Sequence, residues 1–250
     1  MRRIVALIAA LGFSTLILLW GRTPRDIDTI PELFIVGTTA DFWPFSFRKD
    51  GIITGFDIDI AKEVVKRINK KMIIRDVPFA SLIAQLELGT LDIVAAGLAA
   101  TPEREARVNF STPYVGNNPL VIVSYNRSIQ QLENLQGKTV YVTVGNALTY
   151  LGKLNLDIKI KVINNDGVDM HTALDIMDND DVIVTELLSL DPQIIQQFKL
   201  SIVELAHTDQ HTALAVAKNS RVLLSEINRA LESMEHDGTL QRLRSEWSIG

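Results

Sequence analysis

The sequence predicts an α/β protein of two similar halves, each a parallel sheet flanked by helices. Three observations carry that prediction. Short apolar runs alternate with stretches of helical periodicity, an order that calls for a parallel sheet with right-handed crossovers. The pattern starts afresh after a breaker cluster, Gly116-Asn117-Asn118-Pro119. Near the end, Thr212–Ala217 reads as a strand crossing back, ahead of two terminal helices. Nothing repeats at a solenoid period.

In the first half, Leu33–Val36 reads as a strand ending at Gly37-Thr38-Thr39. The loop Asp41-Phe42-Trp43-Pro44-Phe45-Ser46-Phe47 carries four aromatics around a proline, which suit either apolar ligand contact or core packing. Lys49-Asp50-Gly51 marks a turn between two short extended pieces. Gly55-Phe56-Asp57-Ile58-Asp59 leads into a helix with Ile60, Ala61, Val64, Val65 and Ile68 at helical spacing. Asp57 and Asp59 suit the positive end of its dipole, so capping is preferred over a metal role. Met72–Val77 is the next strand, and a helix from Pro78 through Leu88 closes at Gly89. A strand at 92–96 follows.

The stretch Leu91–Tyr114, LDIVAAGLAATPEREARVNFSTPY, has the densest set of signals. Its apolar run suits a strand covered on both faces, and Gly97 lets the backbone approach another group closely. Thr101 has the features of a helix N-cap, with Pro102 at the first helical position. Arg104 then lies in the first turn, where the dipole disfavours a cation. Two readings stand. Arg104 and nearby unpaired N–H groups receive a carboxylate, or Arg104 pairs with Glu103, Glu105 or solvent.

In the second half, Leu120–Ser124 reads as a strand, Ile129–Leu132 as a helix and Thr139–Thr143 as a strand. A helix follows Gly145-Asn146, then come strand Ile158–Ile163, helix Val168–Met177, strand Val182–Thr185 and helix Leu187–Gln196. Leu200–Leu205 is extended, and the helices Arg221–His236 and Leu240–Trp247 are separated by Asp237-Gly238.

Composition narrows the function. The 250 residues are 47% hydrophobic and 22% charged, enough for one large or two small cores. A formal net charge of -5 and a pI near 5.4 argue against nucleic-acid binding. Cysteine is absent, which excludes disulfides, thiolate chemistry and cysteine metal sites. Arg2-Arg3 followed by an apolar run from Ile4 to Trp20 is the layout of an export signal, either cleaved within residues 1–22 or kept as an anchor. Loss of residues 1–22 would remove three arginines and no acid, taking the net charge from -5 to -8. Among the histidines, His207 and His211 around Asp209 could be drawn as a metal pair, but Thr208-Asp209-Gln210 reads as connector, so no metal or other cofactor is expected. No serine has a nucleophile-elbow context and no phosphate loop occurs.

Several motifs in order carry a resemblance. These are Gly37-Thr38-Thr39 with the aromatic-Pro-Phe loop, Gly55-Phe56-Asp57-Ile58-Asp59, Gly97…Thr101-Pro102-Glu103-Arg104, Phe110-Ser111-Thr112-Pro113-Tyr114, the turn Asp237-Gly238-Thr239 and Trp247. From Leu33 onward the chain resembles the bacterial periplasmic amino-acid-binding proteins of ABC transporters. That resemblance implies a two-lobe periplasmic binding protein (type II) fold with a central cleft. Lobe 1 would comprise 33–118 plus 212–250, lobe 2 would comprise 119–211, and crossovers would fall near Asn118–Ser124 and His207–Thr212. It implies an exported, periplasmic monomer that captures an amino-acid ligand for an inner-membrane ABC permease and performs no catalysis.

The resemblance also gives residues their roles. Arg104 resembles the arginine that takes the ligand α-carboxylate, with the Gly97 and Ala99 backbone gripping the α-amino and α-carboxylate groups. Phe42 and Phe79 match the aromatics that sandwich the ligand side chain. Thr143–Asn146, including Gly145, matches the second-lobe loop that closes onto the carboxylate, and Glu186 stands where the family has an aspartate for the ammonium. Ala99 replaces a hydroxyl residue. Thr39, at the ligand site, replaces an acid found in binders of basic amino acids, a charge that Asp41 could supply instead. Glutamate at the amine position resembles chlamydial arginine-binding proteins, which makes arginine the first ligand expectation. Cyclohexadienyl dehydratases share the fold and a similar opening motif. Their catalytic glutamate falls at Ser189 here, so the proton donor is missing. A membrane-anchored sensor domain is the third class.

Overall fold

The computed structural model describes residues 31–116, 118–143, 145–163, 170–206 and 211–249. The expected export segment, 1–22, lies outside the described residues, as do Asn117, Val144, His207 and Asp209.

Two five-stranded sheets organise this part of the chain. The first begins with β1 (Leu33–Thr38), whose last five residues are all buried, as an unbroken apolar strand covered on both faces demands. A small antiparallel meander follows, β2 (Asp41–Phe42), β3 (Ser46–Lys49) and β4 (Ile52–Thr54). Next come α1 (Phe56–Arg67), β5 (Lys71–Asp76), a 3₁₀ turn at Phe79–Ser81, α2 (Leu82–Glu87) and β6 (Ile93–Val94). The turn and α2 stand where one helix from Pro78 to Leu88 was expected. β5 and β6 both run parallel to β1, as the alternation of strands and helices predicted. α1 buries Ile58, Ile60, Ala61, Val64 and Val65. At its start, Gly55 (φ 134°) has no room for a Cβ, which would overlap the Phe45 carbonyl.

The sheet is mixed, not wholly parallel. α3 (Pro102–Glu105) leads to β7 (Val108–Phe110), a strand the sequence pattern did not signal. The returning strand β13 (Ala215–Ala217) lies between β6 and β7 and is antiparallel to both, giving the order β5-β1-β6-β13-β7. Two or three residues are too few to show a period, so these pairings surface only in three dimensions.

The second sheet has the order β10-β9-β11-β8-β12. It contains β8 (Leu120–Ser124), β9 (Thr139–Thr143), β10 (Lys159–Ile163), β11 (Val182–Glu186) and β12 (Ser201–Ala206). β9, β10 and β11 are parallel; β8 is antiparallel to both β11 and β12. Leu120–Ser124, in the range expected for the first crossover, forms the fully buried strand β8 of this sheet. Helices α4 (Asn146–Leu151), α5 (Met170–Ile176) and α6 (Pro192–Phe198) accompany these strands. The helix expected near Ile129–Leu132 is instead a 3₁₀ turn at Leu132–Leu135, and the one expected from Leu187 is a 3₁₀ turn at Leu187–Ser189 followed by α6. The long α7 (Arg221–His236) and then α8 (Thr239–Glu246) follow β13. Trp247 closes this end by donating from Nε1 to Asp59 Oδ2 at 3.1 Å and standing edge-on to Phe47.

Candidate functional site

The expected ligand residues cluster at the carboxyl ends of parallel strands, where open α/β sheets place their binding crevices. Thr39 directly follows β1, and Gly97 comes soon after β6. In the second sheet Thr143 ends β9 and Glu186 ends β11.

From the first sheet, Thr39 Oγ1 donates to Asp41 Oδ1 at 2.6 Å. Phe42 is half-buried and stacks on the core residue Phe45 with ring centroids 5.2 Å apart. Phe79 sits in its 3₁₀ turn, also half-buried. Gly97 has φ 60°, and a Cβ there would overlap the Phe42 ring, so only glycine lets ring and backbone come together. Thr101 caps α3 by accepting the Arg104 backbone N–H at 3.3 Å. That cap places the Arg104 side chain so that Nη1 donates to the Ala99 carbonyl at 2.9 Å while the guanidinium lies 5.4 Å from the Phe79 ring centroid. Arg104 therefore does not settle on Glu103 or Glu105, the bland alternative open in the sequence.

The second sheet supplies the other wall. Asn146 opens α4, directly after the N-cap Gly145. Its Oδ1 accepts from Arg104 Nη1 at 3.4 Å and its Nδ2 donates to Glu186 Oε1 at 2.5 Å. A continuous polar chain, Ala99–Arg104–Asn146–Glu186, thus runs from one sheet to the other. Thr143 Oγ1 lies 3.3 Å from Thr185 Oγ1, which in turn lies 2.9 Å from Ser189 Oγ. Ser189 also donates to the Glu186 carbonyl at 2.6 Å, so the hydroxyl at the dehydratase position is engaged in holding the turn.

Two neighbouring hollows share Phe79. One, about 590 Å³, is lined by Thr39, Asp41, Phe42, Asp76, Phe79 and Thr143 among others. The second, about 500 Å³, includes Phe79, Leu98, Thr101, Arg104 and Asn146 in its lining. Gly145 lies against the Phe79 ring, 3.7 Å from where its Cβ would be. A larger hollow of about 660 Å³ against α7 contains none of the expected site residues.

Electrostatics sharpens the picture. Glu186 is only 6% exposed, and burial pushes its carboxyl up to about 7 against the opposing pull of the Asn146 hydrogen bond and the Arg104 charge. Burial lowers Arg104, while Glu186 and Glu103 support its charged form. An acid and a guanidinium held in one partly dry cleft are suited to a ligand carrying both charges. Among the described residues no cluster of three or more His, Asp or Glu could hold a metal ion.

The family model for bacterial extracellular solute-binding proteins, family 3, matches residues 34–250. The chain belongs to this family. Among its relatives, the arginine-binding extracellular protein ArtP of Bacillus subtilis is 28% identical over 219 residues, covering 86% of each chain. An ancestral arginine-binding protein bound to arginine is 31% identical with a TM-score of 0.77, covering 88% of this chain and 99% of that one. The ancestral amino acid-binding protein AncCDT-1, a precursor of cyclohexadienyl dehydratase, is 28% identical with a TM-score of 0.75, covering 86% and 95%. The fold is that of periplasmic binding proteins, with a mixed sheet in each lobe.

For a family 3 solute-binding protein, two residues at the site stand out that the pattern reading had not placed there. Asp76 reaches the larger of the two site hollows, where Oδ1 accepts the Ala40 N–H at 3.0 Å and Oδ2 pairs with Arg48 Nη2 at 2.8 Å. Its place at the carboxyl end of β5 was the available signal. Asp57, expected to cap α1, makes no side-chain cap: it is fully buried, and its Oδ2 accepts the Gly97 N–H at 2.6 Å. That correction has no local sequence signal.

Proposed function

We propose that this protein captures an amino acid between its lobes in the periplasm and delivers it to an ABC importer. Lobe 1 is taken as 33–118 plus 212–250 and lobe 2 as 119–211. The observation that carries the reading is the polar chain from Arg104 of the first lobe through Asn146 to buried Glu186 of the second. Arg104 takes the α-carboxylate with its fork, aided by the Gly97–Ala99 backbone. Glu186 takes the α-ammonium, and Gly145 and Asn146 close over the carboxylate from the start of α4. Phe42 and Phe79 flank the side chain, with Thr39 and Thr143 at the edge of the same hollow. Closure excludes water and strengthens each charged contact.

Arginine is the ligand we favour. Asp41 and Asp76 both line the hollow beyond the two phenylalanines, which gives a cationic side chain acidic neighbours. The arginine-binding relatives and the glutamate at the amine position, resembling chlamydial arginine-binding proteins, point the same way. A thermal-shift screen over the twenty amino acids, followed by calorimetry, tests the reading. Arginine should give the largest shift, and a protein stabilised by none of the twenty would refute amino-acid capture. The raised Glu186 carboxyl favours one rival, an acid-catalysed dehydratase. Turnover of prephenate or arogenate would establish that rival, whereas Ser189 in place of its proton donor speaks for stoichiometric binding.

A further inference from the structure

Asp57 is a carboxylate that the binding scheme does not use, and its setting is unlike that of an ordinary helix-capping acid. It is the second residue of α1, yet α1 has no side-chain cap. Its neighbour Asp59, two residues on, stays partly exposed and pairs with Lys62, as a first-turn acid normally does. Burying a carboxylate is costly unless something specific compensates for the lost water. Here the leading compensation is the Gly97 N–H, 40 residues away in sequence, at 2.6 Å, with lesser support from the Tyr114 hydroxyl and the Ala96 N–H.

We propose that Asp57 is a positioning residue of the ligand site: its carboxylate sets the Gly97–Ala99 segment, and through it Arg104, while tying that segment to the returning connector at Thr212. The proposal rests on the amino-acid reading above. The links are short. Gly97 turns the chain at the end of β6 with a left-handed backbone, and two residues later the Ala99 carbonyl receives Arg104 Nη1 at 2.9 Å. The same segment is laced to the connector, because Ala99 bridges to Thr212, Ala100 N–H donates to the His211 carbonyl at 3.1 Å and Ala213 N–H donates to the Leu98 carbonyl at 3.3 Å.

The other carboxylate oxygen faces Tyr114, in the segment that leads out of the first sheet. Asp57 Oδ1 and the Tyr114 hydroxyl are both fully buried and couple electrostatically, but neither forms a well-aligned hydrogen bond. The Tyr114 backbone N–H donates to the Thr212 carbonyl at 3.1 Å, and Val115 bridges to Thr212. One carboxylate therefore stands between the segment that grips the ligand and the two strands that join the lobes.

Asp57→Asn and Asp57→Ala, titrated calorimetrically with the amino acid that binds the wild-type protein best among the twenty, test this. Asn keeps an acceptor for Gly97 but loses the charge assistance, and Ala leaves the N–H unpaired. We expect affinity to fall roughly threefold or more in the first and roughly tenfold or more in the second. The Gly97 amide proton should move upfield in Asp57→Asn as its hydrogen bond weakens. Ile58→Ala, in the same helix and equally buried, should lower the melting temperature while leaving the affinity of the folded protein within about twofold, since its cost is a cavity in the core. Asp57→Asn preserves shape and decides the matter alone should Asp57→Ala not fold. Wild-type affinity in both Asp57 variants, or an equal loss in Ile58→Ala, overturns the positioning role. If Arg104→Ala also keeps full affinity, the ligand-site reading itself falls and this inference with it; loss in Arg104→Ala alone refutes only the role of Asp57.

Discussion

Replacing Arg104 by alanine separates binding from folding. In the free protein its guanidinium makes one good hydrogen bond, to Ala99, a long one to Asn146, and a cation–π contact with Phe79. None of these spans a core, so the unliganded protein should melt close to the wild-type temperature. With ligand the balance changes, because the α-carboxylate would be enclosed without its cation. Truncating one partner of a buried, hydrogen-bonded charge pair costs about 2–5 kcal/mol. At about 1.4 kcal/mol per tenfold, that is roughly 30- to 4,000-fold in Kd. Arg104→Lys keeps the charge but not the fork and should fall between the two. Calorimetric titration with arginine measures the loss, and a thermal-shift experiment should show the ligand-induced rise in melting temperature disappearing. An Arg104→Ala protein binding arginine within about threefold of wild type would refute the carboxylate role.

Two further perturbations probe the same site and one the scaffold. Burial raises both Glu186 and Asp57 to about 7, so the folded chain retains protons that the unfolded chain gives up as pH climbs from near 4. Their contribution to stability is therefore fully present below that range and is lost as pH rises through about 7; urea titrations at pH 5 and pH 8 should show Glu186→Gln flattening the slope. Gly97→Ala places a side chain at φ 60° and against the Phe42 ring, so chemical denaturation should show a loss of about 1–3 kcal/mol, with weaker ligand binding. Arg67 pairs with Glu63 within α1 at 2.9 Å and ties that helix to the terminal helices through Asp237 at 2.7 Å and Ser233 at 2.6 Å, so Arg67→Ala should lower unfolding stability by about 1–2 kcal/mol without changing affinity.

Much of the fold was legible because its longer elements carry their own period. Ile60, Ala61, Val64 and Val65 announce α1, and the Thr101-Pro102 pair fixes where α3 starts and hence where Arg104 stands. Elements of two or three residues have no period to read. That is why β7 went unseen and the antiparallel seating of β13 was not anticipated. The 3₁₀ turns at Phe79–Ser81, Leu132–Leu135 and Leu187–Ser189 share the apolar spacing of a helical turn, so pattern alone reads them as α-helix. Within the site, Arg104 was visible as a cation set against a helix dipole. Asn146 and Glu186 carried no such local mark; their relevance came from the family resemblance, since their meeting with Arg104 depends on two sheets folding toward each other. Asp57 illustrates the opposite limit, a residue whose local context suggests a helix cap while the tertiary fold turns its carboxylate onto the Gly97 N–H.

The seat of β13 between β6 and β7 has a consequence for assembly. Every strand of the second sheet lies in one uninterrupted stretch, from β8 to β12, and has all its neighbours as soon as Ala206 has emerged. The first sheet cannot close until the segment beyond Thr212 arrives to fill its gap, whatever the order in which the earlier strands pair. The sheet whose strands are made first is thus the second to be finished, and in a nascent polypeptide it waits with an open gap until the whole of the other sheet has been made.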